Sequence, residues 1–335
     1  MTNRKETSSM TAVHSPSLDV HLDAAELDAA LRAEARLGLT ATPKDLPPKW
    51  FYDRRGSALF EAITALAEYY PARREREILT DRAGDIAALS RPQTLVELGS
   101  GSATKTRILL DALVGGCTLS RYVALDICEE AVHDAGMAIA RAYPGLAVTG
   151  VVGDFGRHLH RTPRHGRQLV AFLGGTIGNL MPDERHSFYS RLRATMTGGD
   201  HLLLGADLVK SPGRLVPAYD DRAGVTAEFN RNVLAVLNAQ LGADFHLDRF
   251  DHVVRWDPDA EWIEMRLRSR CDQVVRVPGL GIEVHFSRGE EMRTEISAKF
   301  RRSRLEAELE RAGFEMVRWW TDTAGDFSLS LAEAV

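Results

Sequence analysis

Apolar positions along the chain follow two different rhythms. Residues 1 to about 18 are polar and aperiodic, include a Ser-Pro step and read as a flexible tail that extends to about residue 20. Leu27, Ala30, Leu31 and Ala35 then stand at i, i+3, i+4 and i+8, the spacing of one helix face, and Gly38 closes the run. Three prolines in 42–53 forbid regular helix and predict an extended segment. Leu59, Phe60, Ile63 and Leu66 predict a short helix, and Ile78, Leu79, Ile86 and Leu89 a further one.

From residue 93 the rhythm becomes strand alternating with helix. Strands are expected at 94–98, 122–127, 147–152, 168–173 and 201–207, and helices at 104–113, 129–142 and 183–197. This alternation predicts an α/β fold with a doubly wound, mostly parallel sheet. Right-handed crossovers would bring the 99–101 loop and Asp126 to the same carboxyl edge. After Lys210 the rhythm breaks. A loop at 218–221, a helix at 226–241 and β-rich pieces at 262–268 and 281–300 precede a helix at 305–312 and a strand pair at 316–320 and 327–331. The division expected is a sheet domain of 73–208 plus 299–335 and a second α+β unit of 21–72 plus 209–298. Ligand sites favour the interface between such units.

Composition narrows the function classes. Lys+Arg 42 against Asp+Glu 47 gives a net charge of −5, which offers no broad basic surface to a nucleic-acid backbone. No apolar run approaches the length of a membrane span, and the first twenty residues lack the apolar core of a secretory signal. Three cysteines without CxxC spacing argue against a disulfide framework or a zinc site. The expectation is a cytoplasmic protein without a metal, acting on small molecules as a monomer. Only six of the 42 basic residues are lysines, so each lysine draws attention.

Candidate chemistry gathers at the expected strand ends. Val96-Glu97-Leu98-Gly99-Ser100-Gly101-Ser102-Ala103 follows a strand and opens a helix, where glycines let backbone approach a ligand. Such a loop suits a dinucleotide, S-adenosylmethionine or a plain structural turn. Thr104 replaces the third glycine of GxGxxG, and the Glu97 carboxylate beside the loop would repel a pyrophosphate; both favour S-adenosylmethionine. Asp126 ends the second strand and is suited to accept both ribose hydroxyls, although a helix N-cap fits equally. Asp154-Phe155 follows the third strand, where the carboxylate would accept from an adenine amino group and the ring would pack on the base; turn chemistry is the alternative. The fourth strand runs into Gly174-Gly175-Thr176-Ile177-Gly178-Asn179, with space for a small molecule and an amide to hold an amino acid's backbone groups.

Several longer stretches resemble the histidine-specific Nα-methyltransferases that start ergothioneine biosynthesis: LPPKWFYD (46–53), EYYP (68–71), LVELGSGSATKTR (95–107), FLGGTIGNL (172–180), LLLGADLVK (202–210), AYDDRAGVTAEFNRNVL (218–234) and EMRTEIS (291–297). The resemblance runs in order from about residue 25 onward. It implies a class I methyltransferase-like Rossmann fold and three successive methyl transfers from S-adenosylmethionine to the α-nitrogen of free L-histidine, giving hercynine and S-adenosylhomocysteine. It also implies cofactor contacts at Tyr52, Gly99, Lys105, Asp126, Asp154 and Phe155, and a substrate pocket of Tyr69, Gly174, Asn179, Tyr219, Met265, Glu295 and Ser297. Asn179 and Tyr219 would hold the carboxylate and amine end. Glu295, Ser297 and Tyr69 would surround the imidazole, with Glu295 taking its N–H and Ser297 serving the other nitrogen. Tyr52, directly or through water, is the candidate proton route, and Asn179 the second catalytic group. The residues themselves support one point: Glu295 and Ser297 lie two apart in an expected strand and so share a face. Three rivals stand beside this reading: a methyltransferase for another amine or amino acid, a NAD-type oxidoreductase, and a binding module without turnover.

Overall fold

The structure is a computed structural model that describes residues 16–101 and 105–335. Its elements are, in chain order, β1 (Ser17–Val20), α1 (Ala24–Thr40), a 3₁₀ turn at Pro48–Phe51, α2 (Arg54–Ala65), α3 (Pro71–Ser90), β2 (Thr94–Leu98), α4 (Thr106–Gly115), β3 (Arg121–Asp126), α5 (Glu129–Ala142), β4 (Ala147–Val152) and the single turn α6 (Phe155–His158). There follow β5 (Gln168–Phe172), a 3₁₀ turn at Thr176–Asn179, α7 (Pro182–Thr195), β6 (His201–Asp207), α8 (Pro212–Tyr219) and α9 (Val225–Leu241). The last part holds β7 (Phe250–Asp257), β8 (Trp262–Ser269), β9 (Gln273–Val277), β10 (Ile282–Phe286), β11 (Glu291–Ala298), α10 (Arg302–Arg311), β12 (Phe314–Thr321) and β13 (Phe327–Ala334).

An eight-stranded sheet in the order β1-β4-β3-β2-β5-β6-β13-β12 forms the centre. β1 to β6 pair in parallel, whereas β13 runs antiparallel to β6 and to β12. Every residue of β2, β5 and β6 is buried, as a parallel sheet covered on both faces requires. The strands expected at 94–98, 147–152 and 201–207 and the helix at 129–142 are found at those bounds. Two hydrophobic clusters cover the faces of this sheet. A third joins residues of 31–70 to residues of 215–292, around the three-stranded sheet β11-β8-β7 and the hairpin β9-β10.

The structure corrects three expectations. Residues 17–20 are not tail: they add a parallel edge strand to β4, with Ser17 opposite Thr149 and Val20 opposite Val152. The remainder of the expected tail lies outside the described residues. The expected loop at 218–221 begins inside α8, a two-turn helix that contains Pro217. Burial of Leu215, Ala218 and Tyr219 overrides the weak local propensity there, and so short a helix has few hydrogen bonds for a proline to remove. β7 and β9 were not expected as strands. Most of β7 is only half-buried at the edge of its sheet, so its side chains lack a clean alternation.

Local chemistry sets the entries to the site. Asp23 and Glu26 form a reciprocal capping box at the start of α1. Asp53, directly after Tyr52, accepts from Gly56 N at 2.7 Å and caps α2. The 3₁₀ turn ending in Asn179 is tied down by Arg185, which is fully buried, donates to Leu180 O at 2.8 Å and forks onto Glu308 at 3.0 and 2.9 Å. At Gly178 a Cβ would stand 2.8 Å from Ala298 O, so only glycine lets this turn approach β11 closely enough to meet Glu295.

Candidate active site

Three strand ends lie side by side because β4, β3 and β2 are neighbours in the sheet. β2 opens into Gly99 and Gly101, both with positive φ (70° and 46°), and no described atom stands within 4 Å of a Cβ built on either. Asp126 at the end of β3 accepts from Gly101 N at 3.4 Å and Cys128 N at 3.1 Å. It is not the cap of α5, whose N-cap position is Cys128. Burial raises its pKa, against the pull of those N–H groups. Asp154 after β4 caps α6 through Gly156 N at 2.7 Å and lies 3.4 Å from Lys49 Nζ. Phe155 packs against Phe172 and Phe188, with centroids 5.2 and 5.8 Å away. Thr104, and with it the argument from the third glycine, lies outside the described residues.

Contrary to expectation, Glu97 does not face a ligand. Its side chain points under the loop rather than into it, and accepts from Thr106 and, at 2.6 Å, from the Tyr122 hydroxyl. Burial pushes its pKa up to about 7, against those two donors. Near neutral pH it is only partly ionised, and both of its oxygens are already engaged by Thr106 and Tyr122.

One cavity is lined by Tyr52 and by all seven residues expected to hold the substrate: Tyr69, Gly174, Asn179, Tyr219, Met265, Glu295 and Ser297. They arrive from widely separated elements. Glu295 and Met265 are cross-strand partners on β11 and β8, and Ser297 follows two positions along. Tyr219 is the last residue of α8, and Asn179 ends its turn. Burial pushes the Glu295 carboxyl up to about 7, while the Lys299 charge and a hydrogen bond from Asn179 pull it down. Burial foremost, and nearby acidic groups after it, hold the hydroxyls of Tyr52, Tyr69 and Tyr219 well above the ordinary phenol range. Part of the remaining wall is aromatic, with the ring centroids of Tyr52, Phe60 and Phe229 5.5–5.9 Å apart.

The glycine-loop edge of the sheet approaches the cavity at Gly174. Its N–H donates to Glu75 at 2.7 Å, and the same fully buried carboxylate binds Lys105. Lys105 Nζ lies 3.7 Å from the position of a Gly174 Cβ. Gly99, Asp126, Asp154 and Phe155 stand outside the cavity lining, along the neighbouring edge.

Sequence reasoning missed a buried ionic group that reaches the cavity wall at Asp207. Asp207, at the end of β6, accepts from Lys299 at 2.9 Å, from Lys210 at 2.6 Å and from the Tyr70 hydroxyl at 2.8 Å. Burial alone would raise the Asp207 pKa, but the two ammonium groups outweigh it and hold it below the ordinary value. A signal for Lys299 was present, because it continues the two-residue step of Glu295 and Ser297.

The sheet order, with an antiparallel strand between the last parallel strand and the edge, and the glycine loop after β2 define a class I methyltransferase fold. The sequence matches the family of histidine-specific, S-adenosylmethionine-dependent methyltransferases over residues 31–334, and the chain belongs to that family. It is 55% identical over 316 residues to the histidine N-alpha-methyltransferase of Mycolicibacterium smegmatis, covering 94% of this chain and 98% of that one. The histidine N-alpha-methyltransferase of Mycobacterium tuberculosis is 54% identical over 303 residues, with 90% and 94% covered. Ergothioneine biosynthesis protein 1 of Neurospora crassa is 30% identical over 285 residues, which span 83% of this chain and 32% of that much longer protein.

Proposed function

We propose that the chain transfers three methyl groups in succession from S-adenosylmethionine to the α-nitrogen of free L-histidine, forming hercynine at the first step of ergothioneine biosynthesis. One convergence carries this reading. The seven residues expected to hold histidine line a single cavity, in a chain more than half identical to histidine N-alpha-methyltransferases.

The residues present fit S-adenosylmethionine. Gly99 and Gly101 leave open space where side chains would stand, Asp126 keeps lone pairs for ribose hydroxyls, and Asp154 with Phe155 offers an acceptor beside a ring. Tyr52 and Lys105 would face the methionine end. When bound, the donor supplies an electrophilic methyl carbon, which passes to the amine nitrogen as the N–C bond forms and the C–S bond breaks.

The chain's own part is positioning, which contributes roughly 7–11 kcal/mol in favourable cases. Asn179 and Tyr219 hold the carboxylate and amine end, and Glu295, Ser297 and Tyr69 hold the ring. An α-amino group with pKa about 8 needs only a modest downward shift to lose its proton near neutrality, so no strong base is required. Tyr52 stays protonated through its burial and acts as a neutral hydroxyl on the proton's route out. The aromatic wall of Tyr52, Phe60 and Phe229 suits the increasingly methylated cation, and the glycines at 174 and 175 leave the amine room to turn between transfers.

The same reading includes a monomer in the cytoplasm and a division into 21–72 plus 209–298 and 73–208 plus 299–335. The separate hydrophobic cluster drawn from 31–70 and 215–292 supports the division. Mass spectrometry of free amino acids incubated with the enzyme and S-adenosylmethionine tests the function. Mono-, di- and trimethyl histidine should appear in sequence. Methyl groups on an imidazole nitrogen, or on another amino acid only, would contradict it.

A further inference from the structure

Lys299 is fully buried and has three hydrogen-bond acceptors: Asp207 Oδ2 at 2.9 Å, the Tyr219 hydroxyl at 2.8 Å and Ser297 Oγ at 2.8 Å. An ammonium has three N–H donors and accepts nothing. This arrangement therefore commits it completely, and both hydroxyl oxygens accept from it. The Tyr219 and Ser297 oxygens are themselves 2.7 Å apart. Of their two protons, one lies in the bond between them and the other points away from the lysine, toward the cavity that both residues line. Only two states exist. Either Ser297 donates to Tyr219 and Tyr219 donates into the cavity, or both bonds run the other way.

The acceptor's carboxylate selects between the states. Lys299 and Lys210 bring two ammoniums to this wall, and Asp207 and the Glu295 carboxyl answer them, so charge alone leaves both states open. The proposed reading seats the acceptor's carboxylate at Tyr219. A carboxylate only accepts hydrogen bonds, so Tyr219 must donate to it, and Ser297 must then donate to Tyr219.

We propose that Lys299 is a positioning residue that sets the hydrogen-bond polarity of the acceptor pocket, so that Ser297 can only accept from the substrate ring. The proposal deepens the histidine reading and rests on it. Its consequence is specific. The ring must present an N–H to Ser297, which reverses the expectation that Ser297 serves the unprotonated nitrogen. The other ring nitrogen meets Glu295, and one proton lies between them, either as imidazolium against carboxylate or as neutral ring against carboxylic acid. A ring without an N–H leaves Ser297 Oγ facing a lone pair or an apolar atom.

β-(Thiazol-4-yl)alanine and β-(thiazol-5-yl)alanine test this directly, because both keep the five-membered ring and an acceptor nitrogen but have no ring N–H. With the wild-type enzyme, the KM of each should exceed that of histidine by about tenfold or more, the effect of an unpaired buried polar group. Ser297→Ala should raise the histidine KM while leaving the thiazole values within about twofold, since only histidine uses that acceptor. Lys299→Met frees both hydroxyls to turn, and the histidine-to-thiazole ratio should shrink to within about threefold. Affinity for S-adenosylhomocysteine, measured by calorimetry, should change less than about twofold in each variant. If Lys299→Met does not fold because Asp207 loses one of its two ammonium partners, the double variant Lys299→Met/Asp207→Asn removes both charges and is measured in the same way. The proposal is overturned if wild type accepts a thiazole as readily as histidine, or if Ser297→Ala raises all KM values equally. An unchanged ratio in the lysine variant overturns it too. Wild-type enzyme that leaves histidine unmethylated would instead overturn the functional reading, and mass spectrometry registers that before any ratio is taken.

Discussion

Replacing Asp126 by alanine removes the carboxylate expected to hold the ribose. Its two oxygens accept from Gly101 N at 3.4 Å, a long bond, and from Cys128 N at 3.1 Å, an ordinary one. A carboxylate offers about four lone-pair sites, so two remain for the ribose hydroxyls. Hydrogen bonds to a charged group contribute roughly 1.5–3 kcal/mol each. Burial works against the ionised form of Asp126, as its raised pKa records, and offsets part of that gain. The net loss in Asp126→Ala should be roughly 2–4 kcal/mol, or about 30- to 1,000-fold in Kd. Asp126→Asn keeps one acceptor oxygen but turns an amide NH₂ toward a backbone donor, so its Kd should fall between those of alanine and wild type. The assay is calorimetric titration with S-adenosylhomocysteine in the absence of histidine. The reference deletion removes only residues 1–15, because Ser17–Val20 pairs with β4, which ends two residues before Asp154, and is no inert tail. That deletion should change Kd less than about twofold, since the segment has no apolar periodicity. An Asp126→Ala protein that binds within about twofold of wild type would refute the ribose assignment, because no reading of two charged hydrogen bonds allows so small a loss.

Two further outcomes are expected. Glu295→Ala should raise the histidine KM strongly, leave S-adenosylhomocysteine affinity nearly unchanged and narrow the gap between histidine and leucine, since buried polar sites of this kind discriminate by about 10⁴–10⁵; unchanged KM and selectivity would mean that the imidazole is read elsewhere. Glu97 titrates at about 7 in the fold against an ordinary 4.5, so the native state keeps a proton that the unfolded chain releases across that window. Stability tied to this group is therefore present below 4.5 and is lost as pH rises through 7, by roughly 3 kcal/mol in total. Glu97→Gln lacks this loss, so its melting temperature relative to wild type should climb between pH 5 and pH 8, and a difference independent of pH would count against it.

The sheet was legible because its central strands are short, wholly buried and mostly apolar runs, bounded by glycine and charge and alternating with helix-spaced segments. The elements outside it were less so. α8 carries two prolines and a glycine in eight residues, and it is helical because Leu215, Ala218 and Tyr219 are buried by residues distant in sequence. β1 is visible only through its pairing with β4, more than a hundred residues away.

The site divides in a similar way. Glu295 and Ser297 read by themselves as an ordinary polar strand face and stood out only through the family resemblance, whereas Asp126 could be picked out from its place at a strand end. The meaning of Glu97 could not, because the direction of its side chain depends on Thr106 and Tyr122, which lie on other elements. The same holds for Lys299. Its neighbour spacing put it on the right face, but its role depends on partners 80 residues away at Tyr219 and on an Asp207 that is itself held by Tyr70, 137 residues earlier. A hydroxyl's donor or acceptor role is decided by every group around it. For Tyr219 and Ser297 that decision is made by one lysine whose three protons are all engaged, and it is there that selection for a ring bearing an N–H begins.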